Sequence, residues 1–327
     1  MDSERRVAHY NLLESIGRGG LGEVFRARDT KVGRTVALKV LPATISRDMA
    51  DLDLLLEDAR RASALSHPSI ATLFEVGTSG DAHYFACEFV AGAPLRNEIG
   101  GRPMNPRRAL EVAIQIADGL SEAHAAAIVH GDVRPDTIAF TGKGGAKLLD
   151  TGLARGTRGG RLRRTITEAP EGLPAEAAAI VSYMSPEQTL GGQVDGRSDL
   201  FSLAIVLYEM LTGRNPFAAA SVQDTLMNVI SLQPPPPSSI KPDVTIELDR
   251  ILARAFSKDI LKRHESIAAF AAELRAIVSA LDRRAGENAT SYVMPVDDRA
   301  DRTPAAVWLA GGAAVTVVAA LVWWTLK

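Results

Sequence analysis

A glycine-rich segment followed by a lysine is the first feature of the chain that suggests chemistry. Gly17, Gly19 and Gly22 form a GxGxxG pattern, which alone is weak because dinucleotide-binding folds also use it, with a helix after the glycines. Here apolar and polar residues alternate over 23–28, which predicts a strand, so we expect the glycines to cap a hairpin whose backbone lies over phosphates. Lys39 on the next predicted strand, otherwise an ordinary solvated lysine, can then reach a nucleotide phosphate.

The second half of the chain carries further motifs in a fixed order. Residues 130–137 read His-Gly-Asp-Val-Arg-Pro-Asp-Thr after a predicted helix, and Asp150 begins Asp-Thr-Gly-Leu-Ala-Arg eighteen residues after Asp132. Two later motifs are Ser-Tyr-Met-Ser-Pro-Glu at 182–187 and Asp-Gly-Arg-Ser-Asp-Leu-Phe-Ser-Leu at 195–203. Together with the glycine loop and lysine, they resemble the motifs of bacterial eukaryotic-type (Hanks-type) serine/threonine protein kinases, over most of the chain.

The resemblance implies a site that binds ATP with Mg²⁺ or Mn²⁺. Asp132 corresponds to the catalytic aspartate that accepts the proton of the substrate hydroxyl, and Lys39 and Arg134 complete the catalytic set. Asp150 corresponds to the main metal ligand, and Thr137 stands at the position of the second. The implied nucleotide-binding positions are Gly17, Arg18, Gly19, Gly20, Leu21, Gly22, Val24, Ala37, Lys39, Asp58, Cys87, Glu88, Val90, Thr137 and Asp150.

The resemblance also implies supporting contacts around this site. Cys87 corresponds to the residue at the back of the adenine pocket, and residues 88–90 to the hinge whose backbone meets adenine. Glu187 and Arg263 correspond to a structural ion pair of the large lobe, and Asp199 to the aspartate that braces the catalytic loop.

Several positions depart from the family pattern. Asp58 stands where a helix glutamate should pair with Lys39 and is one methylene shorter, and Thr137 replaces an asparagine with a poorer metal ligand. Gly131 replaces the arginine that holds a phosphorylated activation loop, so we expect switching through that pocket to be lost. The other departures are Arg134 for lysine, Thr151 for phenylalanine and Ile180 for threonine.

Two hypotheses about function follow from this mixture of retained and altered positions. The first is a membrane-anchored, ATP-dependent serine/threonine protein kinase of reduced efficiency, which the intact Asp132 and Asp150 favour. The second is a nucleotide-binding pseudokinase that acts as a signalling scaffold, which the departures favour. In both, the partner is a protein, either as substrate or as docking partner.

The elements that must position these residues predict two lobes. Strand-like alternation and one helix near 50–65 predict a small β-rich N-lobe of about residues 10–90, and helical periodicity predicts a larger C-lobe of about 91–281. We therefore expect an α+β fold, the two-lobed protein kinase fold, for a kinase domain at 10–281. The individual predicted segments are strands within 10–41, 72–77 and 83–90, and helices at 109–127, 199–211 and 266–281.

The last part of the chain predicts a membrane anchor. Residues 282–304 are polar without apolar periodicity and indicate a juxtamembrane linker, and residues 305–326 carry no charge. A helix of 22 residues is about 33 Å long and spans a hydrocarbon core of about 30 Å, although a buried C-terminal helix is the alternative. With no apolar signal-like run at the N-terminus, we expect a single-pass protein of the cell membrane with a cytoplasmic kinase domain. Ala306, Ala310 and Ala314 form a small-residue stripe, which suggests a homodimer.

Composition excludes several other classes of protein. The fractions of hydrophobic residues (46%) and charged residues (23%) are typical of a globular protein and argue against general disorder. A formal net charge of -2 gives no reason to expect nucleic acid as a partner. The single cysteine, Cys87, leaves neither an intrachain disulfide nor a cysteine-based zinc site.

Overall fold

The structure is a computed structural model in which the chain divides into two units, residues 1–281 and residues 282–327. The residues that it describes are 6–19, 22–41, 49–153 and 177–291. The first unit contains a β-rich N-terminal lobe and a helical C-terminal lobe, which confirms the predicted two-lobed fold.

A six-stranded antiparallel sheet forms the N-lobe. Its strands are β1 (Arg6–Val7), β2 (Tyr10–Gly19), β3 (Gly22–Asp29), β4 (Thr35–Val40), β5 (Leu73–Ser79) and β6 (Ala82–Glu88). The spatial order is β1-β2-β3-β4-β6-β5. The register places Lys39 of β4 opposite Val24 of β3 and Phe85 of β6, so the lysine lies in the middle of the sheet rather than at its edge.

Helix α1 (Met49–Ala62) covers one face of this sheet. Its apolar residues Leu52, Leu55 and Ala59 recur at spacings of three and four, so they share one helical face, and all three are buried. They pack with Phe85 and Cys87 from the sheet in one apolar cluster. Burial of each leucine stabilises the lobe by about 1.5–3 kcal/mol, which fixes α1 against the sheet that carries Lys39.

The C-lobe is built around one almost completely buried helix. Its helices are α2 (Leu95–Ile99), α3 (Pro106–Ala125), α4 (Ala177–Val181), α5 (Pro186–Thr189), α6 (Gly196–Thr212), α7 (Val222–Ser231), α8 (Ile246–Ala255) and α9 (Ile267–Ser291), with a hairpin of β7 (Ile138–Phe140) and β8 (Ala146–Leu148). In α6 every residue from Ser198 to Thr212 is buried, so this helix has no wet face. Helix α3 packs directly against it.

Local sequence signals set the ends of these two central helices. Asn105 accepts a hydrogen bond from the Arg108 backbone N–H and is followed by Pro106, which is a favourable first helical residue. Asp195 caps α6 in the same way, and Gly213 ends it with a left-handed φ of 76°. An added Cβ at Gly213 would also lie 2.9 Å from backbone atoms of the 101–102 turn, so glycine is required there for two reasons.

The predicted segments at 50–65, 109–127, 199–211 and 266–281 are confirmed as helices. Helix α9 differs at its end, because it continues beyond Leu281 to Ser291 into the segment predicted as linker. Arg283 and Ala285, at the start of this extension, have high helix propensity. The predicted membrane helix at 305–326 lies outside the described residues, and among the helices within them none is long and apolar enough to cross a membrane.

Candidate active site

The glycine-rich segment forms the turn-proximal end of the β2–β3 hairpin, as its pattern predicts. Gly17 pairs with Val24 and Gly19 pairs with Gly22, directly beside the turn. Gly17 and Gly22 have backbone φ values of 152° and 113°, which residues with a Cβ rarely adopt. Of the predicted nucleotide-binding residues in this glycine-rich segment, Gly20 and Leu21 lie outside the described residues.

Lys39 and Asp150 meet between the lobes. The Lys39 side chain is only 10% exposed, and its ammonium contacts Asp150 Oδ1 directly. Burial lowers the pKa of Lys39, and the neighbouring Cys87 acts in the opposite direction without outweighing it. Asp150 itself has a left-handed φ of 66°, a strained conformation for this residue type that recurs at functional sites. One cation and one carboxylate are thus held together with little access for water.

Helix α1 lies directly on the segment that follows Asp150. An added Cβ at Gly152 would lie 2.3 Å from Ala62 Cβ and 3.0 Å from the Asp58 carbonyl oxygen, so only glycine permits this approach. The Asp58 carboxylate contacts the Arg61 guanidinium on the same helix. Thr151, which replaces the phenylalanine of the family pattern, precedes Gly152 and is buried.

The loop at residues 130–137, which the resemblance identifies as the catalytic loop, places Asp132 and Arg134 side by side. Arg134 Nε donates to Asp132 Oδ1 at 3.1 Å, and its Nη1 lies 2.8 Å from Asp136 Oδ2. Asp132 is almost fully buried, so this charge-assisted bond restricts the orientation of its carboxylate. The His130 ring bonds the Leu149 carbonyl oxygen at 2.7 Å, which joins the loop to the segment that carries Asp150.

Asp199 braces this loop, as the sequence predicts. Its carboxylate, 1% exposed, accepts hydrogen bonds from the backbone N–H groups of His130 (2.8 Å) and Gly131 (2.7 Å). The His124 ring contacts the same carboxylate at 2.8 Å, and Gln188 donates to the Gly131 carbonyl oxygen at 2.9 Å. Gly131, which replaces the arginine of the family pattern, has a φ of 70°, and glycine adopts this left-handed conformation without strain.

Thr137, predicted as a metal ligand, is engaged by the backbone of its own loop. Its hydroxyl lies within hydrogen-bond distance of the carbonyl oxygens of Asp132 (2.8 Å) and Arg134 (3.0 Å), and it accepts from the Arg134 N–H. Within the described ranges no cluster of three or more His, Cys, Asp or Glu side chains could hold a metal ion. Mg²⁺ commonly binds one or two carboxylates together with substrate phosphates, so the Asp150 carboxylate fits this ion without such a cluster.

A cavity of about 480 Å³ connects these groups to the hinge. Glu88 at its edge is fixed by Lys147 (2.9 Å) and by the Thr72 N–H (3.2 Å). Cys87 is buried there, and burial raises the pKa of its thiol. The predicted residues that line the cavity are Gly17, Val24, Ala37, Lys39, Cys87, Glu88, Val90, Arg134, Thr137 and Asp150.

Six other residues that line the cavity were not named individually as site residues from the sequence, although Phe89 falls within the predicted hinge at 88–90. They are Ile16, Ala71, Phe89, Pro94, Asp136 and Leu149. Three of these adjoin predicted residues in the chain, since Phe89 lies inside the predicted hinge, Leu149 precedes Asp150 and Ile16 precedes Gly17. No comparable sequence signal identifies Ala71 as a lining residue. Its position depends on a tertiary contact, because its N–H donates to the Leu148 carbonyl oxygen at 2.9 Å.

The predicted ion pair of the large lobe is present. Arg263 donates to both carboxylate oxygens of Glu187 at 2.8 Å, and Ser198 also donates to that carboxylate. Glu187 lies in α5, and Arg263 follows it by 76 positions in the chain, shortly before α9 begins. The pair therefore ties distant parts of the C-lobe together.

Comparison with protein families and curated proteins gives a consistent result. Residues 10–271 match the protein kinase domain family. The chain is 36% identical over 272 residues to a Streptomyces coelicolor protein described as "Probable serine/threonine-protein kinase SCO3848", covering 81% of this chain and 39% of that protein. It is 32% identical over 313 residues to the serine/threonine-protein kinase pkn3 of Myxococcus xanthus, covering 90% of this chain and 55% of that protein. The chain thus spans about half or less of the length of these relatives.

Among solved structures, the kinase domain of PknI from Mycobacterium tuberculosis has the same fold. The TM-score is 0.66 at 23% identity, and the match covers 84% of this chain and 99% of that domain. At this identity the likeness concerns the fold alone.

Proposed function

Since the chain belongs to the protein kinase domain family, we propose that it transfers the γ-phosphate of ATP to serine or threonine hydroxyls of proteins, with Mg²⁺ or Mn²⁺. One observation carries the proposal: Lys39 and Asp150 meet in a cavity whose wall also holds Arg134, the residue bonded to Asp132. Phosphoryl transfer depends mostly on positioning and charge neutralisation, so these groups are the ones that the reaction needs.

Each of the chain's own groups has a defined task in this proposal. Lys39 binds phosphate oxygens beneath the glycine-rich turn at 17–22, and Asp150 would hold a divalent cation, which would supply neutralisation of phosphate charge. Asp132 accepts the proton of the acceptor hydroxyl, and Arg134 holds its carboxylate in position. Asp199 keeps the loop backbone fixed, so that the carboxylate does not have to reorganise during the reaction.

We further propose reduced catalytic efficiency, because two family contacts are altered. The Asp58 carboxylate is bound by Arg61, and the Thr137 hydroxyl is engaged by its own loop. A loss of about tenfold to a hundredfold at each corresponds to roughly 1.4–2.7 kcal/mol of transition-state stabilisation. Thr137→Asn is expected to raise kcat about tenfold at limiting Mg²⁺ by supplying an amide oxygen. An unchanged metal dependence would argue against this explanation.

The decisive experiment uses the purified full-length chain in detergent with radiolabelled ATP and Mg²⁺ or Mn²⁺. We expect labelling of the protein itself or of a generic basic protein, and loss of labelling in Asp132→Asn. Asp81→Asn, the same change in the exposed β5–β6 turn, is the matched control and is expected to retain activity. Labelling that persists in Asp132→Asn, or never appears, would contradict the enzyme proposal. Stabilisation of the fold by nucleotide would then distinguish the pseudokinase from a scaffold that binds none.

We also propose that residues 305–326 anchor the protein in the cell membrane as a single span, with the kinase domain in the cytoplasm. The support is the uncharged length of this segment. Membrane fractionation of the full chain and of a variant ending at residue 300 tests the anchor, and protease protection tests the orientation. Recovery of the shortened variant in the membrane fraction would contradict the anchor.

The alanine stripe at positions 306, 310 and 314 supports a homodimer, for which Ala310→Leu is expected to reduce crosslinking between copies.

A further inference from the structure

A second cavity, of about 470 Å³, adjoins the nucleotide cavity. Arg134 and Asp136 line both, so the two form neighbouring parts of one cleft. Because Arg134 also bonds Asp132, a chain that presents a hydroxyl to Asp132 passes the second cavity. Residues near the acceptor hydroxyl would therefore place their side chains in it.

The second cavity contains an arginine of the protein itself, held by two carboxylates. Arg96 of α2 donates from Nη1 to Glu209 at 2.9 Å and from Nη2 to Asp136 at 3.0 Å. Nη2 also lies 3.0 Å from the Tyr183 hydroxyl, and the guanidinium lies over the Tyr183 ring at 5.4 Å. Burial disfavours the charged guanidinium, but the neighbouring Tyr183 and Asp136 raise the pKa of Arg96 overall.

The charges that line this cavity compensate one another. Arg96 and Arg134 contribute two positive charges, and Asp136 and Glu209 contribute two negative charges, which sum to zero. The Glu209 side chain is only 8% exposed, whereas the Arg96 side chain is 37% exposed. The Glu209 and Asp136 carboxylates are thus paired with arginines of the protein itself. A substrate cation would therefore meet two guanidinium groups instead of open carboxylates.

We propose that Arg96 determines substrate specificity by occupying an acidic subsite beside the acceptor hydroxyl, so that the chain selects uncharged side chains there and rejects basic ones. This inference rests on the proposed kinase function. Without Arg96 the cavity carries a net charge of about -1, because Arg134 still balances Asp136 at 2.8 Å while the Glu209 carboxylate loses its cation and becomes available to a substrate lysine or arginine. Substitution of Arg96 alone is therefore expected to change the preference from uncharged to basic substrate side chains.

The test measures two quantities on the full-length chain: kcat/KM for serine peptides, and the Kd of the same peptides by fluorescence anisotropy. Each peptide carries either arginine or glutamine at one position flanking the serine. At one flanking position, Arg96→Met is expected to raise the arginine-to-glutamine ratio at least tenfold, both for kcat/KM and for the association constant 1/Kd. Arg96→Lys, which keeps the charge, is expected to leave the ratio near that of the unmodified chain.

Two further variants keep the inference falsifiable if Arg96→Met folds poorly. Adding Glu209→Gln to Arg96→Met is expected to return the ratio to the original value, because the exposed charge is removed. Asp136→Asn alone makes the cavity net positive and is expected to lower the ratio at least threefold. Ratios that do not change in any variant would overturn the inference.

The peptide Kd separates this inference from the proposed function. Absence of phosphate transfer together with the expected shift in Kd would refute the kinase proposal and support the subsite. Phosphate transfer with an unchanged ratio would support the kinase proposal and refute the subsite.

Discussion

The ion pair between Arg263 and Glu187 allows a quantitative prediction for the stability of the C-lobe. The Arg263 side chain is fully buried and makes hydrogen bonds to both Glu187 oxygens and to the carbonyl oxygens of Ser257 (2.8 Å) and Arg197 (3.1 Å). Its guanidinium also lies over the Phe201 ring at 4.8 Å. Arg263→Met keeps much of the volume but removes every donor, and it leaves the Glu187 carboxylate without its cation.

Breaking a buried pair from one side costs about 3–5 kcal/mol, because the remaining charge is neither hydrated nor paired. We expect Arg263→Met to lower the free energy of unfolding by that amount, a large part of the roughly 5–15 kcal/mol available to a domain. Glu187→Met added to Arg263→Met removes the stranded carboxylate and is expected to recover about 1–3 kcal/mol. The control is Arg254→Met, which removes an exposed pair with Glu273 (3.1 Å) and is expected to cost less than about 1 kcal/mol.

The effect of Arg263→Met also depends on pH in a defined direction. Burial acts to raise the pKa of Glu187, but Arg263 and Ser198 outweigh it and hold this pKa below its usual value of 4.5. The stabilisation is therefore complete above about pH 4.5 and is lost as the pH falls through the lower folded-state pKa. The difference in stability between the unmodified chain and Arg263→Met is expected to narrow in that acidic range.

Urea unfolding followed by far-UV circular dichroism measures these quantities. Tryptophan fluorescence does not report on the C-lobe, because the three tryptophans, at positions 308, 323 and 324, follow the predicted kinase domain at 10–281. A loss below about 1 kcal/mol in Arg263→Met, equal to that of the exposed control, would refute the reasoning from burial.

Three other predictions concern backbone approach, titration and loop bracing. Gly92→Ala is expected to lower stability by about 2 kcal/mol or more in urea unfolding, because its Cβ would lie 1.8 Å from the Phe140 carbonyl oxygen, whereas Gly142→Ala meets nothing within 4 Å and should stay within about 0.5 kcal/mol. Burial, then Arg263, lowers the pKa of Lys258 from 10.5 to about 8, so its destabilising charge is fully present below pH 8. The free energy of unfolding should therefore rise by about 1–2 kcal/mol between pH 8 and 10 relative to Lys258→Met, since solvent screens part of the effect; a flat difference contradicts this. Asp199→Asn should lower kcat about a hundredfold while KM for ATP changes less than twofold, and equal losses in both would contradict a positioning role.

Much of the site could be predicted from the sequence because its signals are local. The alternation around Lys39, the glycines at 17–22 and the short motifs at Asp132 and Asp150 each occupy a few consecutive residues. Regular strand and helix geometry then restricts where such residues point. For this reason ten of the predicted nucleotide and catalytic residues line the observed cavity.

The contacts made by the altered positions could not be predicted in the same way. A threonine at position 137 indicates a weaker metal ligand, but its bonds to the loop backbone depend on the local turn. A glycine at position 131 indicates a lost switch, but its left-handed φ becomes known only in the folded loop. An aspartate at position 58 indicates a shorter reach, and its contact with Arg61 requires a particular rotamer.

The sequence alone therefore determined the family resemblance, the two lobes, and the identity of the lysine and the carboxylates to which we assign the proposed chemistry. Tertiary structure alone decided that Arg96 meets Glu209 and Asp136, residues separated from it by 113 and 40 positions. No periodicity or motif joins these three residues, because a charge pair between distant segments depends on how α2, α6 and the catalytic loop pack together. Periodic burial specifies each element, whereas the packing of elements specifies which charges end up as neighbours.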